Sequence, residues 1–313
     1  MLARATRAVW HRGMPAMVAA MAGAAGLTGA APATAAQNAT VNCSGDPSAL
    51  QPAINAASPG STLQVRGTCV GNFTIDKNLT LTGIQRAVLD GNQTGSVVTV
   101  TSGAKARLVA FTITNGRNFN GSGVLDINGS TSTLDRSTVT DNTSVFTGGG
   151  IFNDSTSTLT LTNSTVQRNA ATSTGGIDNR GTVRLTRSTV RDNTSNTDSG
   201  GIYNGGSLTL DHSTVSGNTA TSPGGGGIFN DGTLTVTRTT VRGNTAEFGG
   251  GIYNRNAATL TLSSVVGNTA NGGAGSGGGI FNSGSTVTLD RTAVRNNTPD
   301  NCSPENTIPG CTN

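Results

Sequence analysis

Residues 226–244 read GGIFNDGTLTVTRTTVRGN, and close variants of this stretch recur from about residue 121 almost to the C-terminus. The aliphatic marker of each copy is Val124, Ile151, Ile177, Ile202, Ile228, Ile252 or Ile280, at spacings of 24 to 28 residues. In five of the seven an aromatic and then Asn follow, as in Ile151-Phe152-Asn153 and Ile202-Tyr203-Asn204. A second marker, V-x-x-N, closes each copy at Asn142, Asn169, Asn193, Asn218, Asn244, Asn268 and Asn297. Between the markers, Thr233-Leu234-Thr235-Val236-Thr237 alternates strictly, which is the period of a strand with one buried face. Each copy therefore holds three short strands separated by turns.

A fixed period of this length, carrying strands and no helical pattern, predicts a solenoid of stacked coils. One coil buries only a few aliphatics, here Ile228, Leu234, Val236 and Val241, too little to offset its own ordering entropy. Stacking supplies the rest, through backbone ladders and through Asn columns whose amides donate to one neighbouring coil and accept from the other. Parallel crossovers are right-handed as a rule. The reading is an all-β chain: a right-handed parallel β-helix of roughly nine coils over residues 61–298, with a short N-terminal capping helix.

Residues 1–36 carry a basic start (Arg4, Arg7, Arg12), a small apolar run and an Ala-rich end, the pattern of a secretory signal peptide rather than a membrane span. Without those three arginines the 20 basic residues fall to 17 against 16 acidic, so the charge gives no warrant for nucleic-acid binding. The expected product is secreted, extracellular and monomeric, with no membrane span. Its four cysteines stand in pairs at the two ends, Cys43 with Cys69 and Cys302 with Cys311, and an even count in an exported chain reads as disulfides. Of the three pairings, the local one closes short loops where a solenoid's ends need protection. Residues 37–60 form the N-terminal cap, where Asp46 is expected as helix N-cap, Pro47 at the first position, and Leu50 and Ile54 on one face. Gly116 to Ser122 reads as a polar loop, and residues 299–313 as a disulfide-closed tail.

GGGIFN at 148–153, GGIYN at 200–204 and GGIFN at 226–230, each followed by V-x-x-N, resemble the repeats of polymorphic outer membrane proteins, whose paired motifs are GGA with an aliphatic and F-x-x-N. Over about residues 60–298 the chain is similar to the right-handed parallel β-helix proteins of the pectate-lyase-like superfamily. Here Ile stands directly after Gly-Gly and Val replaces the motif Phe. The resemblance implies the fold and a surface-display or adhesion role. It also implies that any catalytic carboxylates, calcium ligands and basic residue would lie on an outer strand face.

The residue between the inward Ile and Asn is expected to face solvent. That column reads Leu125, Phe152, Asp178, Tyr203, Phe229, Tyr253 and Phe281. It is either a stacked ladder that stiffens the sheet or an apolar strip, Phe152, Tyr203, Phe229, Tyr253 and Phe281, that binds a glycan or a surface partner. The adjoining turn column holds Asp154, Arg180, Asp231 and Arg255, with Asp154–Arg180 and Asp231–Arg255 expected as ion pairs one coil apart. Asp154, Asp178, Arg180 and Asp231 are the candidate catalytic set, although no pair of carboxylates declares itself as a glycosidase requires. His212, the one His beyond the leader, stands in a solvated column with Arg187 and Arg238. Thr133, Thr160, Thr209, Thr235, Thr259 and Thr288 form a flat outer rank. No metal or cofactor motif is present, and calcium enters only with the lyase reading. Three functions follow: a non-catalytic secreted surface or adhesion module that binds glycan; a polysaccharide lyase or glycoside hydrolase; and ice binding through the Thr columns. The regular repeats and single His favour the module.

Overall fold

In the computed structural model, which describes residues 38–313, one repeat closes one coil. Ile228–Asn230 is its first strand, Thr233–Thr237 its second, Thr240–Arg242 its third, and a two-residue strand, Thr245–Ala246, leads into the Gly-rich connector. Equivalent strands of successive coils pair in parallel and in register, Ile177 with Ile202, Ile202 with Ile228 and Ile228 with Ile252. The first strands build a ten-stranded sheet and the short strands a seven-stranded one, while the second and third strands share a long bent sheet. The fold is an all-β parallel solenoid of about ten turns, one more than the periodicity alone indicates.

Alternation sets what goes inside. Leu208, Leu210, Leu234, Val236 and Leu260 are fully buried, as are the marker isoleucines. Two corners per coil let the chain turn without leaving its layer. At the first, Arg136, Asn163, Arg187, His212, Arg238, Leu262 and Arg291 all adopt φ of 45–52°. Left-handed backbone at a non-glycine residue is unfavourable, and β-branched side chains tolerate it least; the column holds none. The variable column that contains His212 is thus a conformational corner.

Asparagine ladders tie the coils together. Asn169 Nδ2 donates to Asn193 Oδ1 at 3.0 Å, Asn193 to Asn218 at 2.9 Å, and Asn218 to Asn244 at 3.0 Å. Each Oδ1 also accepts the backbone N–H of the preceding Asn, as in Asn193 N to Asn218 Oδ1 at 3.1 Å. A second ladder, nearer the first strands, runs from Asn153 through Asn179, Asn204, Asn230 and Asn254 to Asn282 with spacings of 2.7–2.9 Å. Both columns do what their periodicity predicts.

Glycine before the marker isoleucine has a steric reason. A Cβ on Gly227 would lie 2.6 Å from Gly251 O and 2.9 Å from Asn244 Nδ2, so any side chain there would push the next coil off the ladder.

The ends are closed as expected by the Cys43–Cys69 and Cys302–Cys311 disulfides. Leu50 and Ile54 of the helix Leu50–Ala56 are fully buried against the first coil. The helix starts later than the sequence predicts: Ala49 is its N-cap, and Asp46 instead accepts the Ser48 N–H at 2.9 Å in the preceding turn. The cap also contributes a strand, Asn38–Asn42, which extends the long sheet by pairing with residues 62–66. Asn301 receives the last Asn297 amide and is itself held by Asn313, so the tail caps a ladder. The expected signal peptide, residues 1–36, lies outside the described residues. Among the described residues no helix is long and apolar enough to cross a membrane.

Candidate functional site

The outer face of the ten-stranded sheet is the floor of a cleft of about 280 Å³. Asp178, Tyr203 and Phe229, from three successive coils in register, form that floor. Arg180, Asp231 and Arg255, from the turns that follow first strands of these coils and the next, make one wall. Phe146, in the strand Thr143–Thr147 of the preceding coil, and Ser173 and Asp198, from the connectors that precede the Asp178 and Tyr203 strands, make the other.

The column faces outward as alternation predicts, but it is only partly open to solvent. Phe152 is 8% exposed, Phe229 4% and Asp178 1%, whereas Tyr203, Tyr253 and Phe281 are partly exposed. The cover comes from neighbouring coils: the Arg180 guanidinium lies 5.1 Å from the Phe152 ring centre, and Arg255 lies 4.8 Å from Phe229 and 5.4 Å from Tyr253. Phe229 also stacks on Tyr253 at 4.8 Å with planes 4° apart, and on Tyr203 at 5.6 Å. Tyr203, Phe229, Tyr253 and Phe281 form a continuous row of adjoining rings, and Asp178 separates them from Phe152.

The polar groups are interlocked. Asp178 accepts the Thr147 hydroxyl at 2.7 Å and faces the Arg180 guanidinium at 3.3 Å. Burial pushes its carboxyl above the ordinary carboxylate range, against the opposing pull of Thr147 and Arg180. Tyr203 donates to Asp231 Oδ2 at 3.1 Å, and burial together with that carboxylate drives the phenol up to about 12. Arg255 approaches Asp231 at 3.8 Å, and the Ser173 hydroxyl donates to Asp198. Asp178, Arg180 and Asp231 of the candidate catalytic set are thereby gathered in one place. Asp154 is not among them, and its expected pairing with Arg180 is absent. Its carboxylate accepts the N–H groups of Asn128 at 2.7 Å and Thr156 at 2.9 Å, which ties it into turns, while Arg180 swings to Asp178 and Phe152.

The family comparison agrees with this solenoid of parallel strands. Residues 65–246 match the family model described as right handed beta helix region. The chain belongs to that family. This β-helix is similar to solved structures at low identity: pectate lyase Pel9A (15% identity, covering 80% of this chain and 75% of that one, TM-score 0.48); ORF18 of Geobacillus virus E2 (13%, 81% and 59%, 0.41); and an alginate lyase from a Paenibacillus species (12%, 82% and 98%, 0.34). No curated protein matches the chain.

Sequence reasoning misses one side of the cleft in this β-helix. Residues 117–120, expected as polar loop, form the first strand of the seven-stranded sheet, and Phe119 on it stacks on Phe146 at 5.3 Å with planes 20° apart. Phe119 is 59% exposed, Phe146 43% and the neighbouring Val145 56%, so the pair is an open apolar platform at the rim. The available signal is Val145-Phe146 in a connector that is otherwise Thr, Ser and Gly. Asp198 carries no signal of that kind, because its connector varies in length from coil to coil. His212 stays out of the cleft, at a corner of the long sheet, with Nδ1 2.8 Å from Asp211 Oδ1. Among the described residues no three His, Cys, Asp or Glu side chains are placed to hold a metal ion. The cleft's carboxylates are already engaged by hydroxyls and guanidinium groups, a donor set unlike the oxygen cage that calcium takes.

Proposed function

We propose that this β-helix is an exported, non-catalytic surface or adhesion module that binds a polysaccharide in the cleft on its ten-stranded sheet. The observation that carries the reading is the juxtaposition of the exposed Phe119–Phe146 platform with a cleft lined by Arg180, Asp231, Arg255 and Tyr203. A pyranose offers an apolar face and a rim of hydroxyls. Exposed aromatic planes accept the face, and guanidinium and carboxylate groups fixed by neighbours accept the rim. The Phe229–Tyr253 stack stiffens the floor on which the ligand would lie. The Thr ranks of the long sheet lie on a different face, so ice binding has no part in this reading.

A second reading, cleavage of the bound chain, rests on Asp178. A carboxyl whose hold on its proton is tightened by burial, in one cleft with the carboxylates of Asp198 and Asp231, has the character of a general acid. Passing the purified chain over immobilised acidic and neutral polysaccharides, with and without calcium, while following both retention and release of shortened products, separates the two. Retention without products is expected. Turnover that Asp178→Asn abolishes would replace the module with an enzyme, and failure to be retained by any polysaccharide would remove both.

A further inference from the structure

The inner asparagine ladder begins on an aspartate. Asp126 pairs in register with Asn153, the position that holds Asn in every later coil to Asn282. Along the ladder each Nδ2 donates to the Oδ1 of the next coil, so each Oδ1 needs a donor from the coil before. At the first step the expected donor is a carboxyl group. Asp126 Oδ2 and Asn153 Oδ1 are both buried, and neither has a hydrogen-bond partner. Asp126 Oδ1, in contrast, accepts the Ser130 hydroxyl. Two buried acceptors at paired positions, each without a donor, are costly in a dry interior, and a single proton shared between the side chains would satisfy both.

We propose that Asp126 enters the fold as the neutral acid, its hydroxyl donating to Asn153 Oδ1, so that the first step of the ladder is a pH-dependent seam between coils. The surroundings agree. The strand on one side offers Val98 and Val100, and that on the other Ile151 and Asn153. Across the interior stand Leu134 and Ser132, whose buried hydroxyl lies near the carboxyl without closing a hydrogen bond. The charged groups on these elements are Asp154, in the turn after Asn153, and Asp135, whose charge is held by Arg107 and Arg136. Burial first, with a smaller push from the Asp154 charge, raises the Asp126 carboxyl from its ordinary 3.8 to about 6 against the pull of Ser130 and Ser132.

The sign follows from linkage. A carboxyl that binds its proton more tightly folded than unfolded stabilises the fold at low pH and loses that contribution as pH rises, here between 3.8 and about 6. Asp126→Asn supplies a permanent donor, as Asn does one coil later. Urea unfolding of wild type and variant from about pH 4 to about pH 8 therefore isolates the site, because the other carboxylates are common to both. The expected result is equal stability near pH 4 and a variant more stable by about a hundredfold in the folding equilibrium near pH 8. A variant that keeps the wild-type pH slope, or is less stable near pH 8, overturns the proposal. An NMR titration of the Asp126 carboxyl carbon in the wild-type chain tests it without any substitution: a midpoint well above 3.8 supports it, and one at or below 3.8 overturns it.

Discussion

A single asparagine shows how this fold is held. Asn218 Oδ1 accepts the Asn193 N–H at 3.1 Å and its Nδ2 at 2.9 Å, while Asn218 Nδ2 donates to Val190 O and Asn244 Oδ1, both at 3.0 Å. Removing that amide leaves the buried Asn193 N–H without its acceptor and takes one partner each from Asn193 Nδ2, the Val190 carbonyl and Asn244 Oδ1, at roughly 1–3 kcal/mol for a buried group left unsatisfied. Asn218→Ala is therefore expected to lower stability by about 3–5 kcal/mol in urea unfolding, several times the effect of removing an exposed Thr hydroxyl from the long sheet. Both Asn columns were legible in the sequence because each recurs at a fixed offset from an aliphatic marker. Phe229 was not, although its place in the alternation was read correctly. Whether an outward side chain is exposed depends on what the next coil's turn does, and Arg255 lies across the ring. That is a contact between coils, invisible to a period-two argument.

At the scale of one coil, backbone geometry decides which residues are interchangeable. The connector must bring Gly227 within van der Waals reach of Gly251 O and the Asn244 amide. Gly227→Ala is expected to be among the most damaging small substitutions in the chain, costing more than about 3 kcal/mol, because neither contact is with a flexible side chain. Thermal unfolding measures it. Gly243, at a corner with φ of 60° and with nothing within 4 Å of an added Cβ, provides the contrast. Gly243→Asn, which keeps a left-handed backbone accessible, is expected to change stability by less than about 1 kcal/mol. The strands were legible for the same reason as the ladders. The connectors were not, since their lengths vary and their roles depend on where they fold back. Thus the sequence around Phe119 has the composition of a loop yet forms a strand, Asp198 carries no periodic mark, and local turn hydrogen bonds withdraw Asp154 from the cleft.

For the whole molecule, a solenoid is stable by the sum of its coils and their interfaces, and it opens from its ends. The Cys43–Cys69 disulfide closes 26 residues of the first turns. Replacing both cysteines by Ser is expected to lower stability by about 3 kcal/mol, with hydrogen exchange accelerating first around Leu50 and Ile54 and little around Ile202. The cleft stands apart from this economy of repeats. It lies where the aromatic column is interrupted by Asp178 and where one strand of the seven-stranded sheet carries Val145 and Phe146, so the irregular residues mark the site and the regular ones hold it. The most direct test of the binding account is affinity electrophoresis in gels containing the polysaccharide that best retains the chain, comparing wild type with the double variant Phe119→Ala, Phe146→Ala. Both rings are exposed, so the variant is expected to unfold at the wild-type temperature within a few degrees and to lose at least about tenfold in affinity, as removal of a stacking platform worth about 1.4 kcal/mol or more requires. Unchanged retardation of a folded double variant would contradict the assignment of this platform and cleft as the binding site.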